Sequence, residues 1–212
     1  MEENIAILMA DLSGYTALTE THGAFSAADL IDKYLEMVAG SLVGDCKLNE
    51  RTGDEVMIVS NSPDSLLASA VMLMKAAATE ENFLQVHGGL HYGKVLRRHN
   101  SYFGATINLT SRIAGKAPAG HLWCSQDFVN ALNVPTFIQL QKKGKHQLKN
   151  VSEGIEMYEL NIEKTNSYYI DPVCRMLILN PEKAISCPDT ANVFFCSPVC
   201  LDIHKNNQQV NE

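Results

Sequence analysis

The order of apolar and polar segments in the first hundred residues constrains the fold most strongly. Residues 5–10 form a short apolar run that ends at an aspartate, a pattern typical of a buried strand. Apolar residues recur at helical spacing over residues 26–43, and Ser26 is a plausible N-cap for that helix. Residues 46–60 indicate two strands joined by a turn at residues 52–54, and a second helix follows. Strands that alternate with helices and hairpins predict an α+β sandwich.

The bulk composition excludes several classes of function. The chain has 212 residues and a formal net charge of -7, so it is a poor candidate for binding the phosphate backbone of nucleic acids. No apolar run reaches the roughly 18 residues that a membrane-spanning helix needs. The N-terminus lacks the basic and apolar regions of a signal peptide. We therefore expect a cytoplasmic protein with no nucleic-acid partner and no membrane attachment.

The cysteines are unevenly distributed along the chain. Four of the six cysteines lie from Cys174 onward, and in a cytoplasmic protein such clustering indicates metal binding before disulfides. This shift in composition predicts two units, a larger domain over residues 1–163 and a Cys-rich unit over residues 164–212. The polar stretch 163–167 is the predicted linker between them.

Two aspartates carry the chemistry of the larger domain. Asp11 ends the first strand, and Asp54 lies in the predicted hairpin turn. If the two strands are neighbours, both carboxylates converge on one site. Two carboxylates can hold two divalent cations, the arrangement needed for in-line displacement at phosphorus. Residues 13–16 follow Asp11 and lead towards a helix, where backbone N–H groups can hold phosphates.

A second polar motif lies farther along the chain. Asn108 and Arg112 are four residues apart, so they share one face of a predicted helix. An amide and a permanently charged guanidinium suit a ribose and a charged phosphoryl transition state. A solvated helix face is the alternative interpretation of this pair. Lys149, a single cation before the last strand of the domain, gains a role only together with the other motifs.

Taken together, these motifs resemble the catalytic domain of class III adenylyl and guanylyl cyclases. That family has an Asp followed by a small-Gly-aromatic-Thr stretch, then Gly-Asp in a hairpin, aromatic-Gly, Asn-x-x-x-Arg and a late Lys. The resemblance covers about residues 5–161, and it implies a ferredoxin-like βαββαβ sandwich with a small Cys-rich C-terminal module. The motifs occur here in the family's order, at residues 11–16, 53–54, 102–104, 108–112 and 149.

The resemblance also implies a mechanism and a set of site residues. It implies that Asp11, Asp54 and the backbone carbonyl of Leu12 hold two Mg²⁺ or Mn²⁺ ions at each active site. Asn108 would orient the ribose, and Arg112 would stabilise the charge of the transition state. The phosphates of the substrate would be bound by Ser13, Gly14, Tyr15, Thr16 and Lys149.

The reaction implied by the resemblance converts a nucleoside triphosphate to a 3′,5′-cyclic monophosphate and pyrophosphate. In the family, the active site lies between two subunits, and each subunit contributes half of it. One chain here contains both halves, so a head-to-tail homodimer with two equivalent sites is expected, and a monomer should be inactive.

Two positions depart from the pattern of adenylyl cyclases, which read adenine with a Lys and an Asp. Those positions hold Glu50 and Ser101 here. An ionised Glu only accepts hydrogen bonds, and so does N1 of adenine, whereas guanine and uracil both offer donors. GTP or UTP is therefore favoured over ATP, in a pattern similar to that of guanylyl cyclases. Arg51 stays open as a substitute cation if the strand register differs.

The C-terminal unit resembles the YHS domain, a small metal-binding module. It opens with Asp-Pro-Val-Cys at residues 171–174 and ends with Phe-Cys-Ser-x-x-Cys at residues 195–200, although Arg175 replaces the usual Gly. Thiolates suit Zn²⁺ or another soft metal ion. Reduced cysteines without a metal are the alternative. The candidate ligands are Cys174, Cys196 and Cys200, with His204 or Cys187 as the fourth.

Two functions are consistent with these motifs. The first is an active cyclase whose metal-binding tail regulates it. The alternative is a catalytically retired cyclase fold that senses nucleotide or metal and signals through dimerisation. His87, His91 and His99 lie near one predicted hairpin, and we expect them to be solvated or core residues rather than metal ligands.

Overall fold

The structure is a computed structural model that describes residues 1–133, 138–165 and 168–209. Its first six elements follow the predicted βαββαβ order, with Gly53 and Asp54 at the turn of the hairpin. The predicted α+β sandwich is therefore confirmed. These elements are β1 (Glu2–Leu12), α1 (Tyr15–Ser41), β2 (Lys47–Thr52), β3 (Glu55–Ser60), α2 (Pro63–Thr79) and β4 (Val86–Arg98).

The rest of the larger domain extends the same sheet. Its elements are β5 (Ser101–Phe103), α3 (Ala105–Ala114), β6 (Leu122–Ser125), α4 (Gln126–Ala131), β7 (Ile138–His146) and β8 (Ile155–Thr165). The strand order is β2-β3-β1-β4-β6-β8-β7, and β5 pairs with the end of β4. β1 pairs antiparallel with both β3 and β4, so its C-terminal end lies beside the start of each neighbour.

Helices cover both faces of the sheet. Successive residues of a strand point to opposite faces. The even-numbered residues from Ala6 to Leu12 belong to the core under α1, α2 and α4. The odd-numbered residues from Ile5 to Met9 belong to a second core under α3. Asp11 continues the odd-numbered series, so its side chain leaves the strand on the α3 face.

Helix α1 begins earlier than the sequence predicts. The prediction of Ser26 as the N-cap is wrong, because the helix begins at Tyr15 and is kinked at Gly23. Gly23 has φ 80° and ψ 174°, a conformation that depends on the absence of a side chain. The first part of the helix carries mostly exposed residues, so it lacks the apolar periodicity that would reveal it in the sequence.

The C-terminal unit consists of short elements that pack on the larger domain through Ile170, Leu177 and Leu179. Of the predicted linker, residues 163–165 belong to β8, and residues 166–167 lie outside the described residues. In the described ranges, no helix is both long and apolar enough to cross a membrane. The elements of the unit are β9 (Tyr169–Ile170), β10 (Leu177–Ile178), a 3-10 turn (Pro181–Lys183), β11 (Ile185–Ser186), β12 (Phe194–Phe195) and α5 (Pro198–Gln209).

Candidate active site

The structure brings the two predicted metal-binding aspartates together. Asp11 lies near the C-terminal end of β1 and Asp54 at the turn before β3, and these strands are direct neighbours. The carboxyl groups of Asp11 and Asp54 are close enough to interact, because Asp11 acts on the pKa of Asp54. Burial raises the pKa of Asp54 to about 6 and the neighbouring Asp11 carboxyl adds to that rise, while the backbone of Asp54 and Leu12 acts in the opposite direction.

This pair of carboxylates fits a divalent cation. Oδ1 of Asp11 is buried and accepts no hydrogen bond from the described residues. Two adjacent carboxylates do not both ionise readily without a compensating positive charge. Hard divalent cations prefer oxygen ligands, and the backbone of Leu12, which directly follows Asp11 in β1, is near enough to lower the pKa of Asp54. The donor set therefore suits Mg²⁺ or Mn²⁺.

The segment after Asp11 forms a turn that leads directly into α1. The N–H of Ser13 donates to the carbonyl of Gln85 at 2.8 Å. Gly14 occupies the position before the helix with φ 91°, and it has no side chain with which to cap the helix. The first backbone N–H groups of α1, from Tyr15 onward, therefore keep the capacity to bind an anion.

His87 is a residue of this site that the sequence did not reveal. We expected a core or solvated residue, but Nδ1 of His87 lies 3.0 Å from Oγ of Ser13, and His87 pairs with Asp11 across β1 and β4. Burial lowers the pKa of His87, while the charge of Asp54 and the backbone of Asp11 act in the opposite direction. His91, in contrast, is buried and bonded to a serine, as expected of a core residue.

Asn108 and Arg112 lie one turn apart on α3, as predicted. Both line a cavity of about 420 Å³ between α3 and the loop before β8. Asn150 in that loop also lines the cavity, and Lys149 is its exposed neighbour in sequence. Another side of α3 packs on the sheet through residues such as Thr110, so the polar pair faces the cavity.

Within one chain, the two aspartates and the pair Asn108 and Arg112 lie in different parts of the domain. Neither Asp11 nor Asp54 lines the cavity of Asn108 and Arg112. The aspartates belong to the β1–β3 part of the sheet, whereas the cavity lies beside α3 and the loop that precedes β8. One chain thus carries both sets of residues, in separate regions.

The two base-recognition candidates are separated as well. Glu50 pairs with a β3 residue that is itself paired with Met9 of β1. Ser101 pairs with the end of β4, beyond the residue paired with Glu2. The step from Met9 to Glu2 is seven residues of strand, or about 23 Å at about 3.3 Å per residue. Within one chain, Glu50 and Ser101 therefore lie far apart along the sheet.

The register of the hairpin decides between Glu50 and Arg51. A β-bulge precedes Glu50, which then pairs with Met57, a residue of the α3-side core. Arg51 pairs with Val56, which belongs to the core on the other face. Glu50 therefore shares the face of Asp11, and Arg51 points away from it. The alternative in which Arg51 replaces the missing cation has no support in this register.

Three of the five predicted metal ligands in the C-terminal unit come together. These three are Cys174, Cys196 and Cys200. Together with Asp171 they form a cluster in which the four possible ligand atoms lie within 4.8 Å of one another. The sulfur of Cys196 is 3.4 Å from that of Cys174 and 3.8 Å from that of Cys200. His204 and Cys187 lie outside this cluster, and the ring of His204 packs against Phe195.

Asp171, to which the sequence assigned no role, organises this cluster. Its side chain is fully buried. Oδ1 accepts hydrogen bonds from the N–H groups of Val173 at 2.8 Å and Cys174 at 3.2 Å, and Oδ2 accepts one from Cys196 at 2.8 Å. Burial alone would raise the pKa of Asp171, but these hydrogen bonds lower it to about 2. The carboxylate thus ties together the two loops that carry the cysteines.

Arg175 joins the C-terminal unit to the larger domain. It follows Cys174 directly and has φ 63°, a left-handed conformation that costs a non-glycine residue about 1 kcal/mol. Its side chain donates to the carbonyl of Gly40, and its own carbonyl accepts from the N–H of Gly44, each at 2.8 Å. These bonds hold the end of α1 and the loop that leads into the β2–β3 hairpin.

Known proteins of similar sequence and fold identify the family of the larger domain. The family model of the adenylate and guanylate cyclase catalytic domain matches residues 1–162. The chain belongs to this family. The match spans the βαββαβ core and β5 to β8, and it ends before the cysteine cluster.

Proteins related by sequence include one without an assigned function and one named as an adenylate cyclase. An uncharacterized protein of Mycobacterium tuberculosis is 37% identical over 114 residues, 53% of this chain and 30% of that protein. An adenylate cyclase of Glutamicibacter nicotianae is 26% identical over 167 residues, 78% of this chain and 41% of that protein. The chain therefore spans well under half the length of these relatives.

Solved cyclase structures share the fold. An adenylate cyclase from Trypanosoma brucei, described in its monomeric state, superposes with a TM-score of 0.70 at 20% identity over 77% of this chain and 91% of that chain. The guanylate cyclase domain of RhGC from Catenaria anguillulae, in complex with GTP, gives 0.63 at 17% identity over 76% and 98%. At such identities the likeness concerns the fold.

Proposed function

We propose that this chain is a nucleotide cyclase that converts a nucleoside triphosphate to a 3′,5′-cyclic nucleoside monophosphate and pyrophosphate. The observation that carries the proposal is the convergence of Asp11 and Asp54 on a cyclase fold, with a buried carboxylate oxygen that accepts no hydrogen bond from the described part of the chain. Buried polar atoms in folded proteins are normally satisfied. A bound cation would satisfy this one.

The residues around the aspartates would bind the metal ions and the triphosphate. Asp11, Asp54 and the Leu12 carbonyl would hold two ions. When bound, Mg²⁺ or Mn²⁺ supplies the positive charge that activates the ribose 3′-hydroxyl and neutralises the departing pyrophosphate. The backbone N–H groups of residues 13–16 would hold phosphate oxygens at the start of α1.

The residues around the cavity would bind the rest of the substrate. Asn108 would orient the ribose, and its cavity of about 420 Å³ has room for a sugar and part of a phosphate chain. Arg112 would stabilise the negative charge that develops on the transferring phosphoryl group, because a guanidinium presents several donors in a rigid fork. Lys149 would hold the triphosphate from the neighbouring loop.

A second copy of the chain completes the site in this proposal. The aspartates do not line the cavity, and Glu50 and Ser101 are more than about 23 Å apart along the sheet. A head-to-tail homodimer would place the aspartates of one subunit against the cavity of the other. A solved guanylyl cyclase domain from Blastocladiella emersonii is described as a non-canonical dimer. The specific activity should therefore fall when dilution dissociates the dimer.

Glu50 supports a base that donates hydrogen bonds. It is exposed and lies on the face of the sheet that carries Asp11. A carboxylate accepts a hydrogen bond from N1–H of guanine or N3–H of uracil, and it has no donor for N1 of adenine. We therefore propose GTP or UTP as the substrate. ATP is the competing candidate, because several relatives carry the name adenylate cyclase.

The test is to incubate the purified chain with Mn²⁺ or Mg²⁺ and each of ATP, GTP, UTP and CTP, and to identify products by mass spectrometry. We expect a cyclic product from GTP or UTP, and none from an Asp54→Ala variant. An Asp29→Ala variant removes an exposed aspartate on α1 and should keep the rate. A product that persists in Asp54→Ala contradicts the proposal. Bound nucleotide without any product favours the retired cyclase fold that senses nucleotide.

We also propose that the C-terminal unit binds Zn²⁺ or another soft metal ion through Cys174, Cys196 and Cys200. The short sulfur–sulfur distances and the preference of soft ions for thiolates support this ligand set. His204 or Cys187 would become a fourth ligand only if its side chain moved into the cluster. Metal content measured on the purified chain should fall in a Cys196→Ser variant. An Asp189→Asn variant changes an exposed residue of the same unit outside this ligand set, and it should retain the metal.

The contacts of Arg175 support regulation of the cyclase by this unit. Arg175 is bonded to the end of α1 and to the loop before β2, and the same hairpin carries Glu50 and Asp54. A change at the neighbouring Cys174 would therefore act on the position of the hairpin. Cyclase rates that stay unchanged when the unit is chelated or oxidised would count against this role.

A further inference from the structure

The cavity that holds Asn108 and Arg112 has a buried histidine in its wall. His91 of β4 lines this cavity although it is only 5% exposed. It pairs with Ile7 of β1, whose side chain belongs to the core under α3, so the imidazole ring lies on the α3 side of the sheet. A polar side chain that is buried this deeply and still reaches a cavity calls for an explanation.

A hydrogen bond fixes which ring nitrogen of His91 carries the proton. Nδ1 lies 2.7 Å from Oγ of Ser125 in β6. The same Oγ accepts the N–H of Phe128 as the N-cap of α4, and Ser125 is fully buried, so its hydroxyl hydrogen needs an acceptor. Nδ1 is the one acceptor that the described residues offer to it. Burial lowers the pKa of His91, although the charge of Asp127 acts in the opposite direction, so the ring is neutral and its proton is on Nε2.

The Nε2 atom lies beside the first turn of α3, where the cavity is. A Cβ added at Gly93 would lie 3.1 Å from Nε2 and 2.9 Å from Oγ1 of Thr106, so both atoms border the space above that glycine. Thr106 is itself part of the cavity wall, and its hydroxyl donates to the carbonyl of Lys94 at 2.5 Å. Of the two ring nitrogens of His91, only Nδ1 has a hydrogen bond within the described ranges. The N–H of Nε2 is therefore available as a donor.

The charges around the cavity indicate what this donor can bind. Arg112 already supplies a permanent positive charge for a phosphate. The ring of His91 is neutral and lies in the buried wall, where an ionised partner would lose much of its hydration. The hydroxyl or ring oxygen of a sugar is a neutral acceptor and avoids this penalty. Asn108, to which the proposed function assigns the ribose, lines the same cavity.

We propose that the Nε2–H group of His91 donates a hydrogen bond to an oxygen of the substrate's ribose and so holds the sugar beside Asn108. This role rests on the proposed function, because it concerns the nucleotide-binding cavity of the same cyclase. His91 is then a substrate-binding residue as well as a packing residue beneath α3. The hydrogen bond with Ser125 fixes the ring in the orientation that presents the donor to the cavity.

Two substitutions of His91 separate the donor from the bond with Ser125. Asparagine carries its amide near the position of Nδ1, so His91→Asn keeps an acceptor for Ser125 and removes the donor from the cavity. Glutamine carries its amide near the position of Nε2, so His91→Gln keeps a donor and loses the bond with Ser125. Both variants should unfold at a lower temperature, because each of them disturbs a buried side chain.

The measurement is calorimetric binding of the α,β-methylene analogues of GTP and UTP to the purified full chain with Mn²⁺. The carbon bridge blocks the release of pyrophosphate, so binding is measured without turnover. We expect His91→Asn to bind the preferred analogue about 10-fold more weakly, because a ribose oxygen then lacks its donor. His91→Gln should bind it as the unaltered chain does. Inorganic triphosphate, which has no ribose, should bind equally to all three proteins.

Three outcomes would overturn the role of His91 alone. The first is equal nucleotide affinity of the unaltered chain and His91→Asn, while an Asn108→Ala variant binds more weakly. The second is equally weakened binding by His91→Asn and His91→Gln, which would assign the residue to the packing of the domain. The third is weaker binding of inorganic triphosphate by His91→Asn, which would move the contact from the ribose to a phosphate.

Two other outcomes concern the proposed function. Absence of nucleotide binding by the unaltered chain overturns the cyclase and the role of His91 together. Nucleotide binding that is weakened in His91→Asn and retained in His91→Gln, in a chain that forms no cyclic product, supports the role of His91 and overturns the cyclase.

Discussion

Replacing Asp171 by asparagine tests how the cysteine cluster is held together. The buried carboxylate accepts three backbone hydrogen bonds, at 2.8, 3.2 and 2.8 Å. Asparagine keeps the size of the side chain, but it removes the charge, and in either orientation its NH₂ group faces a backbone N–H. A hydrogen bond to a charged group contributes about 1.5–3 kcal/mol, and a buried donor left unsatisfied costs about 1–3 kcal/mol. We expect the unit to lose about 3 kcal/mol of local stability, equivalent to a roughly 150-fold rise in its opening equilibrium.

Hydrogen exchange followed by mass spectrometry measures this change. The amide of Cys196, which donates to Oδ2 of Asp171, should exchange about 100-fold faster in Asp171→Asn because its closed state is less stable. Amides of β1 and β4 should keep their protection. An Asp189→Asn variant changes an exposed aspartate of the same unit and should have no effect. Unchanged protection at Cys196 in Asp171→Asn would refute the idea that these three bonds hold the cysteine loops.

Three further predictions, tested with four substitutions, concern other parts of the structure. Gly89→Ala should lower the unfolding free energy by about 3 kcal/mol, the upper end of the usual cost of overpacking, because a Cβ there would lie 2.3 Å from the backbone N of Ala114. Gly40→Ala is the control: its added Cβ would meet nothing within 4 Å, so it should raise the unfolding free energy by about 0.5–1 kcal/mol. Equal unfolding temperatures of Gly89→Ala and Gly40→Ala would refute the close packing of α3 on β4. Arg175→Gly loses the bond to Gly40 and relieves a backbone strain of similar size, about 1 kcal/mol each. Its thermal stability should hardly change, while the response of the cyclase rate to chelation disappears; a response like that of the unaltered chain contradicts the coupling. Glu50→Lys should raise the ratio of rates with ATP and GTP at least ~10-fold, since the site then donates to adenine, and an unchanged ratio would remove Glu50 from base recognition.

The sequence predicted the parts of the fold that depend on local patterns. The Gly-Asp turn at residues 53–54 predicted the β2–β3 hairpin, and the run that ends at Asp11 predicted a buried strand, so the convergence of the two aspartates followed from adjacency. The four-residue spacing of Asn108 and Arg112 predicted that they share one face of a helix. Each of these signals lies within a few residues of chain, where turn chemistry and helical periodicity act.

The parts that the sequence did not predict depend on pairing between distant segments. His87 reaches the site only because the register of β1 and β4 places it opposite Asp11. The face of Arg51 depends on a β-bulge, and one extra residue reverses the side on which the following side chains lie. The sequence predicted that Cys174, Cys196 and Cys200 lie together. The spacing of the motif does not reveal that Asp171 holds their loops through hydrogen bonds from backbone N–H groups.

The contact between Arg175 and Gly40 has a consequence for the folding kinetics. It joins residues 135 positions apart, and closing so long a loop is entropically unfavourable until the intervening chain is compact. The sheet must therefore assemble first, and the C-terminal unit docks in a later step. Refolding experiments should resolve two phases, an early one in which β1 pairs with its neighbours and a late one in which the end of α1 becomes protected. A newly made chain thus possesses a formed sheet before its two units are joined.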